Sequence, residues 1–416
     1  MSRKIIVGLV IHPDASGFFN SGLHQNAYYL YRLLEYVPAI SPVLVFHPAS
    51  ASDRTVTEVD IFGTKAYSME LFREKYHLDI LLIVSVQIGY DYLRQFHDNG
   101  VKIANITYGN RYVMDQETFV FGHLQHPVEG KKNHAAFSLL REDSICDAVW
   151  VSPHFAWQKD YIMHRAGGSR VYQCPYIWDP ELLQTLVLQE KNYQNDTPFF
   201  MPNDKRNKSI FCTEPNLNVL KTSLFAYTTA NNVHKRGLEH FDKLYLFNAI
   251  NNYRTNPWVA EYAHHFPLAK DKKVTFEHRY QLPVMLEHGR VMFQHHFMNA
   301  LNYTTLEAAY LHLPIVHNSE LLPELGYYYS GTNITQATAQ LERALRHSDR
   351  DDLEQYNEQC DKVVERFSIR NQQNILGYQT LICNLLDPTI EPELPDYMNS
   401  IEDDLGYSSG HISPIT

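Results

Sequence analysis

Residues 294–319, QHHFMNALNYTTLEAAYLHLPIVHNS, decide the fold of this chain. The apolar triplet Val291-Met292-Phe293 just before them reads as a strand. A polar loop follows and carries His295, His296, Asn299 and Asn302. From Thr304 to Leu313 the residues Leu306, Ala309, Tyr310 and Leu313 share one apolar face at helical spacing. Asn302 is placed to cap that helix, because its side chain can accept from an open amide at the helix start. Pro314 stops the helix, and Ile315-Val316 begins another strand. The unit is strand, polar loop, helix, strand. A loop feeding a helix N-terminus offers amide donors and the positive end of the helix dipole, so it suits an anion. Glu307 lies one turn further in, where a carboxylate can take two vicinal hydroxyls such as those of a ribose. The bland alternative is that every α/β protein contains such units, with the Glu merely complementing the dipole.

Working outward, 416 residues are too many for one ordinary core and suit two domains. The expected division is 1–188, a linker or insertion 189–208, 209–374, a helix 375–386 crossing back onto the first domain, and an acidic tail 387–416. The segment KIIVGLVI, residues 4–11, is a buried-strand run. A loop with Gly17, Ser21 and Gly22 follows, and then a helix from about Leu23 to Glu35. Further strands are expected at 43–47, 80–84, 102–107 and 148–152, with helices at 69–76 and 90–99 between them. This alternation predicts a mostly parallel sheet with helices on both faces, whose ligands collect beyond the carboxyl ends of the strands. The glycine loop lacks GxGxxG spacing, so a dinucleotide cofactor is not inferred.

The second domain opens with a strand at 209–212 and the turn Thr213-Glu214-Pro215-Asn216. A helix is expected from Val219, with Lys221 in its first turn, where a cation opposes the dipole unless an anion is bound. A strand over 274–280 ends in Arg279 and Tyr280. Residues 107–134 read as a long ordered loop carrying Asn110, Arg111, Asp115, Glu117, His123, His126, Lys131 and Lys132. Asp115, Glu117 and His126 are its candidate bases, any one of which could take a proton from a hydroxyl. The segments 334–349 and 353–384 read as amphipathic helices.

Composition narrows the function class. Net charge is −11. The seven acids after residue 386 are accompanied by no Lys or Arg, which leaves the body at −4. No apolar run approaches the roughly 18–20 residues needed to span a bilayer. The start MSRKIIVGLV enters a strand directly, without a signal-peptide pattern. Five scattered cysteines show no CxxC or zinc spacing, so reduced thiols and a cytoplasmic setting are expected. No DxD pair follows a strand, so no metal is expected.

The stretch LNYTTLEAAYLHLPIVHNS resembles the nucleotide-binding segment of GT-B glycosyltransferases. It is most similar to a poorly characterised GT-B group, catalogued as a domain of unknown function, found in bacteria and phages. The resemblance implies two Rossmann-like domains facing a cleft. It implies a nucleotide-sugar co-substrate, UDP-linked, and no cofactor or essential metal. Glu307 would bind the donor ribose. Lys221 would hold the donor phosphate, with Glu214 and Asn216 shaping the turn, and Asn216, Asn299, Asn302 and Thr304 would belong to the donor site; Gly17 and Gly22 would approach the phosphate from the first domain, and Arg279 and Tyr280 would flank the base. His24 and Gln25 would face the cleft, with His24 joining Asp115, Glu117 and His126 as a candidate catalytic group. The donor segment is closer to retaining than to inverting enzymes. Phage members of the group imply an acceptor in duplex DNA, the hydroxymethyl group of modified cytosine, with glucose or arabinose transferred in the host cytoplasm. The alternatives are a saccharide acceptor in surface-glycan synthesis, or a non-catalytic nucleotide-binding protein of the same shape.

Overall fold

The computed structural model describes residues 3–14, 22–51, 55–84, 86–125, 140–165, 167, 170–189, 208–347 and 351–398. The chain forms two compact units, Met1–Asp179 with Phe367–Thr416, and Pro180–Arg366. The division therefore falls at Asp179 rather than at 188, and the helix Glu181–Gln189 belongs to the second unit. Residues 190–207, most of the expected linker, lie outside the described residues.

The first unit is built on β1 (Ile5–Val10), β2 (Ile40–Phe46), β3 (Glu58–Ile61), β4 (Thr64–Ser68), β5 (Ile80–Val84), β6 (Lys102–Thr107), β7 (Ala148–Val151) and β8 (Arg170–Gln173). They run in the order β3-β4-β2-β1-β5-β6-β7-β8. Every pairing is parallel except β3 with β4. The central strands are β-branched and aliphatic because helices cover both faces; all five residues of β5 are buried. The β3–β4 hairpin escaped the sequence reading because β3 is short, polar and partly exposed. Its two-residue turn takes positive φ at both Phe62 and Gly63, the geometry that matches strand twist.

The expected loop after β6 is a correction. Residues Arg111–Gln125 form a 15-residue helix, with Asn110 Oδ1 accepting from the Val113 amide at 3.0 Å. Its aromatic and β-branched residues and its mid-segment glycine hid the helical period. A second correction concerns the C-terminus. The single helix expected over 353–384 is two, Leu353–Arg366 and Gln372–Leu386, and Asn371 caps the second by accepting from the Gln373 amide. The break coincides with the passage from the second unit back to the first. In the first unit Tyr378 donates to the Pro175 carbonyl at 2.8 Å, and its ring lies beside Trp150. Nor is the segment after Asp387 an extended tail as far as residue 398. Met398 is fully buried, and Asp396 accepts from Gln373 at 2.6 Å. Residues 399–416 lie outside the described residues.

The second unit carries β9 (Ile210–Cys212), β10 (Leu244–Leu246), β11 (Val274–Phe276), β12 (Val291–Phe293), β13 (Ile315–His317) and β14 (Tyr327–Tyr328), in the order β11-β10-β9-β12-β13-β14. All are parallel. Gly326 enters β14 with φ +58°, where an added Cβ would sit 2.6 Å from the Ile315 carbonyl oxygen. Among the described residues, no helix is long and apolar enough to cross a membrane. All five cysteines are free thiols.

A charged network ties the first unit together. Arg165 donates from Nε (2.5 Å) and Nη2 (3.1 Å) to Asp115, and from Nη1 to Asp143 at 3.1 Å. Asp143 is fully buried and also accepts from Asn105. Removing Arg165 strands two carboxylates in a low-dielectric interior. Arg165→Ala is therefore expected to lose about 3–5 kcal/mol of stability, measured by urea unfolding. A change within 0.5 kcal/mol, roughly that of an ordinary surface substitution, would contradict this account.

Candidate functional site

In the second unit, β9 and β12 are neighbours whose chain connections leave in opposite directions, one toward β10 and β11, the other toward β13 and β14. Such a reversal opens a crevice beyond the carboxyl ends of the strands. Two loops enter it, residues 213–223 after β9 and 294–302 after β12.

The first loop is folded by Asn216. This residue takes φ 53°, and its Oδ1 accepts from the amide and hydroxyl of Ser223 at 2.8 and 2.9 Å. Its Nδ2 donates to the Glu214 carbonyl at 2.8 Å. Both side-chain polar atoms serve the turn, and Asn216 also lines one of the cavities beside it. The helix begins at Leu224, later than expected, because the chain first extends. Lys221 forms an isolated antiparallel bridge with His296, and the Phe297 amide donates to the Leu220 carbonyl at 2.9 Å. Lys221 thus precedes the helix, and the dipole argument for it does not hold. Burial lowers the pKa of its ammonium, against the pull of Glu214.

The second loop is braced from several sides. Gln294 donates to the Thr304 hydroxyl at 2.5 Å and accepts from that of Thr305 at 2.6 Å. The ring of His295 stacks on Phe225 at 4.0 Å, and its Nδ1 lies 2.9 Å from the Tyr329 hydroxyl. Asn318 accepts from the His296 amide and donates to its carbonyl, both at 2.9 Å. The hydroxyl of Ser319 donates to the Ala300 carbonyl. Met298 is held at φ 50°, a strained conformation of the kind that clusters at binding sites. Asn299 is buried in the same loop.

The loop delivers the chain to the helix Tyr303–Tyr310. Asn302 occupies the N-cap position but makes no capping hydrogen bond; its Nδ2 lies 3.3 Å from His296 Nε2 instead. Burial alone pushes the Glu307 carboxyl up to about 7. Burial likewise lowers His295 and His317 to about 4, with His296 adding to both effects. Two cavities, of about 410 and 400 Å³, flank the start of the helix Leu224–Arg236. Phe225, His295 and Phe297 line the first, and Tyr227, Trp258 and Phe276 the second. Each has the volume of a small-ligand pocket.

Arg279 and Tyr280 are exposed beyond β11, with Tyr280 edge-on to Phe247. In the first unit Asp115 is occupied by Arg165 and by the Tyr161 hydroxyl at 2.7 Å, so it is a structural anion rather than a base. Glu117 shares its helix. Gly22 begins the helix Gly22–Leu34, in which His24 stacks on His12 at 5.4 Å. Gly17 and His126 lie outside the described residues. The sequence reading gave no binding role to His296, nor to Glu214 beyond the turn. The paired imidazoles directly after a strand were the available signal.

Residues 5–382 match the model of a family described as a protein of unknown function (DUF2827). The chain belongs to that family. No curated protein matches the sequence. Solved structures match over nearly the whole chain. An alpha,alpha-trehalose-phosphate synthase (UDP-forming) from Burkholderia vietnamiensis is 11% identical, covers 93% of this chain and 97% of its own, and has a TM-score of 0.57. A second from Burkholderia xenovorans gives 12%, 94%, 100% and 0.55. A sucrose-phosphate synthase from Thermosynechococcus elongatus gives 11%, 92%, 100% and 0.54. The likeness establishes that this family member has the GT-B fold.

The Glu307 carboxyl supplies a stability test. Its pKa is raised on folding from 4.5 to about 7, so the folded state keeps a proton that the unfolded chain gives up. The associated stability is complete below pH 4.5 and lost as pH rises through 7. Glu307→Gln carries no such titration. Its melting temperature relative to wild type is expected to climb across that interval, and a pH-independent difference would refute the burial.

Proposed function

We propose that this protein is a glycosyltransferase that takes a nucleoside-diphosphate sugar in its second unit and transfers the sugar to an acceptor hydroxyl. The observation that carries the reading is the crevice at β9 and β12. There Lys221 and His296 are bridged to each other, and Glu307 lies on the helix that follows. Lys221 and the start of the helix Tyr303–Tyr310 neutralise the diphosphate, which is the leaving group. Fixed charges of this kind stabilise the transition state without needing to reorganise. Glu307, once ionised, accepts from the ribose hydroxyls, and Asn299 and Thr304 complete the wall of the site. Two of the GT-B structures are titled UDP-forming, which favours a uridine donor. Metal-free transfer is part of the proposal.

The acceptor supplies a hydroxyl. A hydroxymethylated cytosine in DNA would have to be flipped out of the duplex, and residues 110–134 would have to form an open loop to admit it. That segment is helical from Arg111 to Gln125, which leaves a saccharide hydroxyl the simpler acceptor.

Incubation with UDP-, GDP- and dTDP-sugars, with oligosaccharides or hydroxymethylated DNA as acceptor, tests the proposal by mass spectrometry of products and released nucleotide. Lys221→Ala is expected to lower kcat by about 10²–10³-fold, the size of effect seen when one charge-stabilising donor is removed. Glu307→Ala is expected to weaken donor binding roughly 10–100-fold, the worth of charge-assisted hydrogen bonds to two hydroxyls. Wild-type turnover in the first, or unchanged calorimetric affinity in the second, excludes that residue from the donor site. Nucleotide binding with no release of nucleotide under any condition supports the non-catalytic alternative.

A further inference from the structure

The loops after β9 and β12 meet at a buried carboxylate. Glu214 is 1% exposed, and among the described residues neither of its oxygens accepts a hydrogen bond. The neighbouring ionisable atom is His296 Nε2, 3.2 Å from Glu214 Oε1, with the two side chains only 2% and 1% exposed. That same Nε2 lies 3.3 Å from Asn302 Nδ2. An amide NH₂ group only donates, so facing Asn302 the ring nitrogen must carry a lone pair. A carboxylate only accepts, so facing Glu214 it must carry a proton. The imidazole therefore stands between two partners that require opposite protonation states. Its backbone is pinned to Asn318 and bridged to Lys221, so a change of partner turns the ring and leaves the backbone in place.

The titratable groups around it are few. From β9 and its loop come Cys212, Glu214 and Lys221; from its own loop, His295; from β13, His317; from the segment after β14, Tyr329. Burial keeps His295 and His317 neutral above about 4, and it raises the Cys212 thiol and the Tyr329 hydroxyl well above their ordinary values. The charged side chains beside His296 are thus Glu214, at 3.2 Å, and Lys221, bridged to it through the backbone.

We propose that His296 is a proton-coupled element of the donor site: binding of the nucleotide sugar's diphosphate draws a proton from solvent onto Nε2, the ring changes partner from Asn302 to Glu214, and a second positive charge appears beside Lys221. This rests on the reading of the crevice as a nucleotide-sugar site. Imidazole is the side chain whose charge changes most readily near neutral pH, so donor affinity becomes pH-dependent with no titration of the ligand itself.

The test is calorimetry of UDP-glucose binding to the full chain at pH 7 in two buffers of different ionisation enthalpy, which counts the protons exchanged. The diphosphate diester does not titrate there. Wild type is expected to take up about one proton more than His296→Asn, and its affinity relative to that variant is expected to rise toward pH 6, with a limit of roughly tenfold per pH unit for one linked proton. Any release from Glu307 is common to both proteins and cancels. Glu214→Gln keeps the shape of the side chain but removes the anion that holds the imidazolium. It is expected to lose the extra proton while retaining its circular dichroism spectrum. Equal proton counts in wild type and His296→Asn overturn the inference while leaving the donor site intact. Failure of UDP-, GDP- and dTDP-glucose alike to bind overturns the donor-site reading and this inference together.

Discussion

A short backbone clamp organises the second unit. Lys221 bridges His296, and the amide of Phe297 reaches the carbonyl of Leu220. These contacts join two loops that leave adjacent strands, β9 and β12, and then diverge to opposite halves of the sheet. Parallel strands require crossover connections, so a doubly wound sheet must reverse its winding somewhere, and the reversal leaves space above the strand ends. The clamp fixes what occupies the rim of that space. Without it, Lys221 would depend on the turn folded by Asn216, and His296 on its bonds to Asn318.

Two groups of buried carboxylates are handled in contrasting ways. In the first, Asp143 and Asp115 are matched atom for atom by Arg165 and Asn105. A network satisfied in that way rigidifies the fold and leaves nothing over for chemistry. In the second, the Glu214 oxygens receive no hydrogen bond, and Glu307 is shifted by burial alone. Strain of this sort is tolerated where a ligand can relieve it. The contrast separates Asp115, a carboxylate that builds the protein, from carboxylates that are available for binding.

The aromatic wealth of the chain has a specific use here. Phe225, His295 and Tyr329 stack within a few degrees of parallel, so the β12 loop rests on a rigid base. The Asn318 side chain and the Ser319 hydroxyl tie the same loop to the end of β13. A loop supported from the helix Leu224–Arg236 and from the segments after β13 and β14 holds its residues in place before any ligand arrives, which is what electrostatic catalysis demands.

Much of the architecture was legible in the residues. Aliphatic runs such as 80–84 can only be central strands, and the pattern around 291–316 gave strand, loop, helix and strand in the right order, because burial on both faces admits few other residue types. The β3–β4 hairpin and the helix Arg111–Gln125 were not legible, since exposed or mixed segments carry little periodic signal. The sequence by itself determined the two doubly wound units and the polar loop at a helix start, as these follow from local periodicity. Only the tertiary structure decided that Asp115 is already paired, that Lys221 precedes its helix, and that Glu214 meets His296. Those facts depend on contacts spanning 46 to 82 residues of chain, which no local pattern encodes.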